Sequence, residues 1–486
     1  MFKRLTFICL ICISTLSLAE DENLINSDGT EYKAPRLAGD SLAIKALKKS
    51  NIKALLRYST QYRDTNYHSL QSSNNSTQKN KHQEYSALGG YIGYETPAFY
   101  NISLGATGYG AFKLGNNPTD KIGLGGLDES DGYASSYMAL GEAYIKYKDK
   151  ENDFRYGRRE MPNYRFISLS NIRFSPITHE GTTYENTMNE DIKVTLGYIT
   201  KQKGRNSNRF EGMAKSARLS EKSIRGKYDR NNYLDGAYNG KNKSMPMIGI
   251  ALTKDNYSLE VWDYLVDDFV NTVYVYSDYT FKINQDISFT TAFQFASQKD
   301  TGDSIAGDID TNFFGLKVQL ALDNGITVFS AYNQIAYNEN SYDGGTLFVR
   351  WGTPQMFNSY QVQDSELAGT KSIGAGVQFE LGKLGLVPNT VIRFRHAYYN
   401  MPDSINDKDA AQDRSETTFD LRYSFTKNDG FGIFTEMEGL SIQFRVAYDD
   451  YKTDYNYDAY RQRHGYSFNT VNEDFWDTRL YIDYMF

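Results

Sequence analysis

Hydrophobic and polar residues alternate along most of this chain, in stretches of about ten residues. In the last stretch, Leu480, Ile482 and Phe486 fall on one face, and Asp477 and Arg479 fall on the other. A period of two residues is typical of a β-strand whose faces meet different environments. The same alternation occurs in five other stretches, at 52–58, 192–198, 314–322, 419–425 and 440–449. The pattern therefore predicts an all-β chain.

The apolar faces of these six stretches carry no charged residue. A Lys or Arg that faces lipid at mid-bilayer costs roughly 2–4 kcal/mol, so this absence favours strands that cross a membrane. Strands near ten residues agree with this, because transmembrane strands need about 9–11 residues and soluble strands more often have about five or six. A soluble β-sandwich or propeller also alternates and is the alternative fold.

The connections between these strands are short and long in turn. Eight short turns are predicted, at 96–97, 149–152, 188–190, 255–256, 284–285, 323–325, 383–388 and 427–439. Nine connections are predicted on the other side, at 64–84, 109–136, 161–179, 201–246, 266–270, 298–311, 337–370, 400–416 and 451–475. These connections imply 18 strands. An even strand number and a closed sheet suit an outer-membrane barrel. We predict an all-β, 18-stranded antiparallel transmembrane β-barrel with short periplasmic turns and long extracellular loops.

The first residues have the features of a secretory signal peptide. Lys3 and Arg4 precede an apolar run, and Ser17-Leu18-Ala19 supplies small residues for cleavage. Residues 1–19 are therefore predicted to be a signal peptide, with an uncleaved anchor helix as the alternative. Both cysteines, Cys9 and Cys12, fall in this segment, and the mature chain would carry a net charge of -9. Residues 20–51 are predicted to be a periplasmic segment with a short helix at 41–49, before a barrel over 52–486.

Composition and motifs exclude several other classes. With 15% aromatic residues the chain is not disordered, and two cysteines cannot form a disulfide scaffold. The five histidines are scattered and no HExxH, GxSxG, GxGxxG or P-loop occurs, so no enzyme, metal site or cofactor is predicted. Residues 308–312 begin like a calcium loop but lack its glycine and distal Glu. An acidic exported chain is not expected to bind nucleic acid, and 32 residues before the barrel are too few for the plug of an energy-coupled receptor.

Arginines recur among the residues predicted to face the lumen. The last strands and the first strand would place six of them on one wall: Arg57, Arg393, Arg395, Arg422, Arg445 and Arg479. The strand at 153–160 adds Arg155 and Arg159. A row of guanidinium groups would attract carboxylates and bind them bidentately. The alternative is that the arginines pair with Asp420, Asp449, Asp477 and Asp483 and only stiffen the wall.

The connection at 161–179 is too apolar for a solvated loop tip. We expect it to fold into the lumen and narrow the pore, with Arg165 and Arg173 exposed to solutes. The alternative is an external loop that packs on its neighbours. The segment at 201–246 is rich in Lys, Arg, Gly and Asn and is predicted to be a solvated surface excursion.

These residues resemble the OprD-type outer-membrane porins, whose barrels have 18 strands and whose pores carry an arginine ladder. The likeness rests on the first strand at 52–64, on Arg155-Tyr-Gly-Arg158 leading to Arg173-Phe-Ser-Pro176, on 180–185, and on the terminal 480–486. The terminal segment resembles the signal that the barrel-assembly machinery reads, which implies a role for Phe486. One departure is Asn171-Ile172, where the family commonly has Asp-Ser before the loop arginine. This departure bears on substrate selectivity.

The resemblance implies an outer-membrane porin that lets small hydrophilic, carboxylate-bearing nutrients diffuse without energy input. Two alternatives stay open: a cation-preferring porin of the same fold, which the acidic total would suit, and a barrel that serves as a platform for adhesive loops. The expected partners are outer-membrane lipid, small-molecule solutes and the barrel-assembly machinery, with a homotrimer as an open expectation. The sequence does not identify the solute, the ion selectivity or the gating.

Overall fold

The structure is a computed structural model, and the parts of the chain that it describes make up most of the predicted barrel. They are residues 23–25, 31–33, 51–69, 81–115, 126–128, 134–162, 164–167, 173–217, 243–349, 351–352, 355–363, 365–402, 413–426, 437–452 and 470–486. The predicted signal peptide, the predicted helix at 41–49 and Asn171-Ile172 lie outside these residues.

Eighteen strands form the main sheet, and we number them in chain order. They are β1 (Asn51–Ser69), β2 (Lys81–Glu95), β3 (Ile102–Leu114), β4 (Tyr137–Lys148), β5 (Asn152–Arg159), β6 (Thr178–Thr187), β7 (Ile192–Lys203), β8 (Met245–Lys254), β9 (Tyr257–Val266), β10 (Val270–Lys282), β11 (Ile287–Asp300), β12 (Asp310–Leu322), β13 (Ile326–Ile335), β14 (Lys371–Glu380), β15 (Thr390–Asn400), β16 (Asp413–Ser424), β17 (Leu440–Lys452) and β18 (Thr470–Met485).

Each strand pairs antiparallel with the next, and β18 pairs with β1, so the sheet closes into a barrel. The closed 18-stranded antiparallel barrel confirms the predicted fold class. At the upper end of β7, Lys201 and Gln202 pair with a short strand, Glu211–Gly212, while the lower part of β7 pairs with β8. Outside the barrel, Asn23–Ile25 pairs with Glu31–Lys33.

Helix is nearly absent from the described chain. It comprises one four-residue α-helix, Met213–Ser216, and one 3-10 turn, Tyr342–Gly344. Within the described residues, no helix is long and apolar enough to span a bilayer.

Side chains alternate between an exposed apolar outer face and a buried inner face. On β3, Ile102 and Leu104 are exposed while Ser103 and Thr107 are buried. On β18, Trp476 is 48% exposed, and the neighbouring Asp477 is fully buried. Because polar groups fill the inner face and apolar groups the outer face, the barrel is inverted relative to a soluble protein.

The predicted turns agree with the connections between the strands, within the residues described. β3 continues to Leu114 although a loop was predicted from 109. The other boundaries that differ as much are at β1, which continues to Ser69 although a loop was predicted from 64, and at β18, which begins at Thr470 although a loop was predicted to 475. These two strands pair with each other, and the pairing continues to Ser69 and Thr470. Backbone pairing with a neighbour thus extends both strands through polar sequence that alone resembles a loop.

The predicted surface excursion at 201–246 is wrong for part of its length. Met213, Ala214 and Ala217 are fully buried, and the Met213 N–H donates to the carbonyl of Lys243. Met213 belongs to an apolar cluster with Trp262 and Trp351. A few apolar residues inside a polar segment were enough to draw it into the protein.

Candidate solute pathway

Inner-face residues of β15 to β18 and β1 form one lateral row across the sheet. Successive cross-strand partners in this row are Arg393, Asp420, Arg445, Arg479 and Gln61. Cross-strand partners share a face of the sheet, so three arginines lie at one level of the wall. We call these five residues the arginine row.

Several wall arginines are bound by aspartates. Arg57 donates to both carboxylate oxygens of Asp483, with Nε–Oδ1 and Nη2–Oδ2 distances of 2.7 and 2.6 Å. The Nε atom of Arg445 lies 2.8 Å from Asp420 Oδ2, and Arg479 Nε donates to Asp477 Oδ1 at 2.6 Å. The Arg57 and Arg479 contacts are charge-assisted hydrogen bonds, which fix these side chains. The Arg445 contact is an ion pair in which Nε makes no hydrogen bond. The predicted alternative of paired, wall-stiffening arginines therefore holds for these three residues.

Within the described residues, Arg395 of β15 and Lys317 of β12 have neutral contact partners instead, and Arg393 of β15 lies beside them. Arg393 donates to Gln378 Oε1 at 3.0 Å, and Arg395 Nε donates to Thr418 Oγ1 at 3.2 Å. The Lys317 ammonium lies 5.1 Å from the centre of the Phe329 ring. In the described part of the chain, no carboxylate oxygen lies within 4.0 Å of Lys317 or Arg395. We call Lys317, Arg393 and Arg395 the cation cluster.

The members of the cation cluster lie close enough to repel one another. The charges of Arg393 and Arg395 act on Lys317. Those of Arg393 and Arg445 act on Arg395, and the charges of Asp420 and Glu416 oppose them. The Arg395 guanidinium also lies 4.5 Å from the centre of the Tyr360 ring. Lys317 did not appear among the sequence candidates, although it lies at an inner-face position of a strand that the pattern had identified.

The structure does not bring the predicted arginines of β5 into the arginine row. Arg155 donates to both oxygens of Asp153, at 2.7 and 2.8 Å. Arg159 donates to Thr183 Oγ1 at 2.8 Å and lies 3.7 Å from Glu185. Three strands, β2 to β4, lie between β1 and β5, so these residues belong to a different sector of the wall.

The remaining predicted candidates also have defined positions. Arg422, on β16, is the cross-strand partner of Gln443 and lies two residues from Asp420 on the same strand. Arg165 donates to Glu260 at 2.9 Å and lies 3.9 Å from the centre of the Tyr276 ring. Arg173 makes a long contact of 3.4 Å with Gln61 of the arginine row.

The described part of the connection 161–179, which we call the constriction loop, packs against inner-face residues of distant strands. Arg57 donates to the carbonyl of Arg173 at 2.8 Å, and Tyr264 of β9 donates to the carbonyl of Arg165 at 2.6 Å. Phe174 packs in an apolar cluster with Tyr85 of β2. Contacts with β1, β2 and β9 are possible together only for a loop that runs inside the barrel.

A second long connection, 336–370, also enters the barrel, and we call it the crossing loop. The N–H groups of Gln361, Val362 and Gln363 donate to the Glu416 carboxylate at 2.8, 2.9 and 2.9 Å. The Gln361 side chain reaches Asp477 Oδ1 at 2.9 Å. This loop begins after β13 and contacts β16 and β18, so it spans part of the lumen.

The constriction loop and the crossing loop also contact each other. His179, at the end of the constriction loop, makes a hydrogen bond of 2.8 Å with the carbonyl of Trp351. An ideal Cβ atom on Gly352 would lie 2.2 Å from Ile167 Cα, so the loop backbones are in contact. Sequence reasoning predicted a long connection at 337–370 but did not predict that it enters the barrel. Its apolar residues, including Leu347, Phe348 and Trp351, are the same signal that identified the constriction loop.

Burial shifts the pKa values of two loop groups beside the pathway. It raises the pKa of the Tyr360 phenol to about 12, against the opposing effect of the Arg395 charge. The phenol therefore stays protonated at neutral pH and can donate a hydrogen bond. Burial also raises the pKa of Glu160, at the start of the connection after β5, and the charge of Lys53 opposes this. In the described residues, no group of three or more His, Cys, Asp or Glu side chains could hold a metal ion.

Comparison with known proteins identifies relatives of this architecture. The chain is similar to Pseudomonas aeruginosa OccK9 (OpdG), with a TM-score of 0.66, 15% identity, and coverage of 90% of this chain and 98% of that one. It is similar to Acinetobacter baumannii OccAB3, with a TM-score of 0.66, 18% identity, and coverage of 90% and 99%. Pseudomonas aeruginosa OpdK with vanillate gives a TM-score of 0.63 at 16% identity, with coverage of 90% and 98%. Identities this low support the fold alone.

A protein-family model, and no curated protein sequence, identifies the family of this chain. Among curated protein sequences, none matches the chain at a significant level. The family model described as outer membrane porin, OprD family, matches residues 49–484, which is nearly the whole barrel. A closed 18-stranded barrel with an apolar outer face agrees with that match. The chain therefore belongs to the OprD family of outer-membrane porins.

Proposed function

We propose that this porin passes small carboxylate-bearing solutes by passive diffusion, and that the cation cluster is where they bind on the way. The protein is a channel of the cell outer membrane by family and fold. The finer assignment, to carboxylates and to an arginine-lined path, is our proposal. The observation that carries it is the lack of a carboxylate partner for Lys317 and Arg395 in the described part of the chain.

The neutral contact partners of Lys317 and Arg395 support binding of a solute at the cation cluster. A guanidinium group that is already bound by an aspartate, such as that of Arg57, offers an anion little. Arg395 has only a 3.2 Å hydrogen bond to Thr418 to give up. A carboxylate could replace that bond with two charge-assisted bonds. The repulsion inside the cluster would be relieved at the same time.

The arginine row supports passage in addition to binding. Arg393 belongs both to the cation cluster and to the row, which continues to Arg445 and Arg479. A channel conducts when each site is attractive enough to enter and weak enough to leave. Paired arginines beside Lys317 and Arg395 would supply weaker sites next to a stronger one. The constriction loop and the crossing loop would keep the solute close to this wall.

Ion selectivity in planar bilayers tests the proposal. Lys317→Met combined with Arg395→Gln removes two charges without leaving a carboxylate unpaired. We expect the ratio of anion to cation permeability, measured from the reversal potential in a salt gradient, to fall several-fold. Lys254→Met is the matched control, because this lysine lies at the short-turn rim and pairs with Asp191 at 3.4 Å. A wild type that prefers cations, or an unchanged ratio in the double variant, would refute the proposal.

Substitution of the paired arginines is the less informative test. Removing Arg445 or Arg479 would expose the carboxylates of Asp420 and Asp477, so a change in selectivity would have two causes. Breaking a buried pair is also strongly destabilising. A wild type with no conductance at all would favour the alternative in which the barrel carries surface loops for adhesion.

A further inference from the structure

Two carboxylic acids lie side by side where the crossing loop meets the wall. Glu416 of β16 and Asp449 of β17 are cross-strand partners on the inner face, and both are fully buried. Residues directly opposite each other in an antiparallel sheet have Cβ atoms about 4.5–5.5 Å apart, so the two carboxyl groups are close neighbours. In the described part of the chain, no Lys, Arg or His nitrogen lies within 4.0 Å of either acid. The pair is therefore buried there without a cation in contact.

One residue of the crossing loop binds both acids. The backbone N–H of Gln363 donates to Glu416 Oε2 at 2.9 Å, and its side-chain Nε2 donates to Asp449 Oδ1 at 2.8 Å. The N–H groups of Gln361 and Val362 donate to the other oxygen of Glu416, Oε1. A protonated carboxyl group does not accept equally on both oxygens, because one of them carries the hydrogen. This bonding pattern assigns the negative charge of the pair to Glu416.

The surroundings of Asp449 lack a hydrogen-bond donor. Its Oδ2 atom is buried and accepts no hydrogen bond from a described residue, and the same holds for the Oε1 atom of Gln363. A hydrogen on Asp449 Oδ2 would supply a donor where only acceptors are left over. A second negative charge beside Glu416, buried and without a cation in contact, would also cost far more than the first. Both arguments place one proton on Asp449.

The charges on the β18 side of the pair agree with this assignment. Asp477 of β18 adds a negative charge that acts on Asp449, and Arg63 of β1 adds a positive one. The guanidinium of Arg63 is bound to Asp477 at 2.6 Å, so it is already neutralised by another carboxylate. This side of the pair therefore supplies no surplus positive charge that would favour an ionised Asp449.

The groups on the β15 side and in the loop complete the surroundings. The positive charge of Arg395 acts on Glu416, which is the acid assigned as ionised. The Tyr360 phenol, whose pKa burial raises to about 12, is neutral near pH 7. The Tyr451 hydroxyl accepts from Gln363 Nε2 at 2.6 Å. None of these groups brings a second cation to the pair.

We propose that Glu416 and Asp449 form a proton-operated latch, which holds the crossing loop inside the barrel while the pair carries one proton. When Asp449 loses its proton to water, two like charges stand side by side under the loop. Their repulsion is relieved when Gln363 moves away and water enters. A second proton would neutralise Glu416 and weaken its three N–H bonds, since bonds to charged groups are the stronger ones. The loop is therefore held best with one proton, whichever solute passes.

Single-channel recording as a function of pH tests the latch. We expect the conductance of the wild type to be constant around neutral pH. On the alkaline side it should rise toward that of Glu416→Ala, in which the same loop has lost its anchor. Asp449→Asn keeps the shape and supplies a permanent donor, so its conductance should stay at the neutral value. Asp450→Asn is the matched control, because the next residue of the same strand points to the opposite face, and it should rise as the wild type does.

A nitroxide label reports on the loop itself. Cys9 and Cys12 lie in the predicted signal peptide, so Val362→Cys would supply the reactive thiol. Mobility of the label should increase together with the conductance, and it should stay low when Asp449→Asn is added. Heat-dependent migration in gels checks that each variant has folded.

Three results would each overturn the proposal. The first is a wild-type conductance that does not change with pH, a measurement that needs no variant. The second is an alkaline rise that persists in Asp449→Asn. The third is a conductance that follows added Na⁺ or Ca²⁺ at fixed pH, because a metal cation and not a proton would then neutralise the pair.

Discussion

Glu416 is the residue whose removal most directly tests how the crossing loop is held inside the barrel. Its carboxylate accepts three consecutive backbone N–H groups, from Gln361 to Gln363, and it is fully buried. Glu416→Ala would leave these donors without an acceptor in a space that the loop itself closes to water. Outside the lumen the N–H groups of the loop can bind water, so the loop can recover the lost hydrogen bonds only by leaving the lumen.

The size of this effect follows from the bond count. A hydrogen bond to a charged group contributes about 1.5–3 kcal/mol. At about 1.5 kcal/mol each, the three bonds give roughly 4.5 kcal/mol, or about a thousandfold in the equilibrium between the anchored and the released loop. Glu416→Gln keeps one carbonyl oxygen and should have an intermediate effect.

Single-channel recording and proteolysis measure the two consequences of release. We expect Glu416→Ala to show a larger and noisier conductance than the wild type. Trypsin should cleave faster after Arg350, which is the only basic residue in the crossing loop. Thr417→Ala is the control, because Thr417 lies on the outer face and contacts His396. If Glu416→Ala conducts and resists trypsin like the wild type, the carboxylate does not anchor the loop.

Two further predictions concern the contacts of the constriction loop. Gly352→Ala should separate the constriction loop from the crossing loop and raise the single-channel conductance, because its new Cβ atom would meet the Ile167 backbone. Gly108→Ala is the control: a Cβ atom there meets open space, so the conductance should not change. The pKa of Glu160 is raised in the folded state, so the folded barrel holds the Glu160 proton more tightly than the unfolded chain does. The free energy of unfolding should therefore fall as pH rises from the ordinary pKa of a glutamate, near 4.3, through the folded-state pKa. Urea titration over this range should show the decline in the wild type and a smaller one in Glu160→Gln; equal slopes would refute the assignment.

The sequence revealed the parts of this molecule that depend on local pattern. The alternation on β18 depends only on which side of the sheet each residue faces. It therefore predicted the strand, the side on which each residue lies and the closure of the sheet into a barrel. The strand count followed from the turns for the same reason. Loop boundaries beside β1 and β18 were missed because cross-strand pairing, which no local pattern records, extends those strands.

The partners of the inner-face charges could not be read from the sequence. Arg445 and Arg393 both alternate inward, yet one meets an aspartate and the other an amide. The difference depends on the side chains that adjoin them across the sheet and on which loop covers them. Likewise, Gln361 reaches Asp477 over more than a hundred intervening residues, a contact that only the folded barrel creates.

The division between cations with and without an aspartate in contact would also reconcile an acidic chain with the anion path that we propose. Net charge is a sum over the whole protein, whereas a solute in the lumen responds to charges within about 8–10 Å, because salt screens the rest. Arg57, Arg445 and Arg479 each have an aspartate at contact distance and so contribute little field of their own. Lys317 and Arg395 have none within 4.0 Å in the described chain, so we expect them to contribute most to a positive field in the lumen. On the proposed function, selectivity would be decided by the few cations that the wall leaves without an aspartate in contact. The aspartates that make the protein acidic would determine which cations these are, because they neutralise the others.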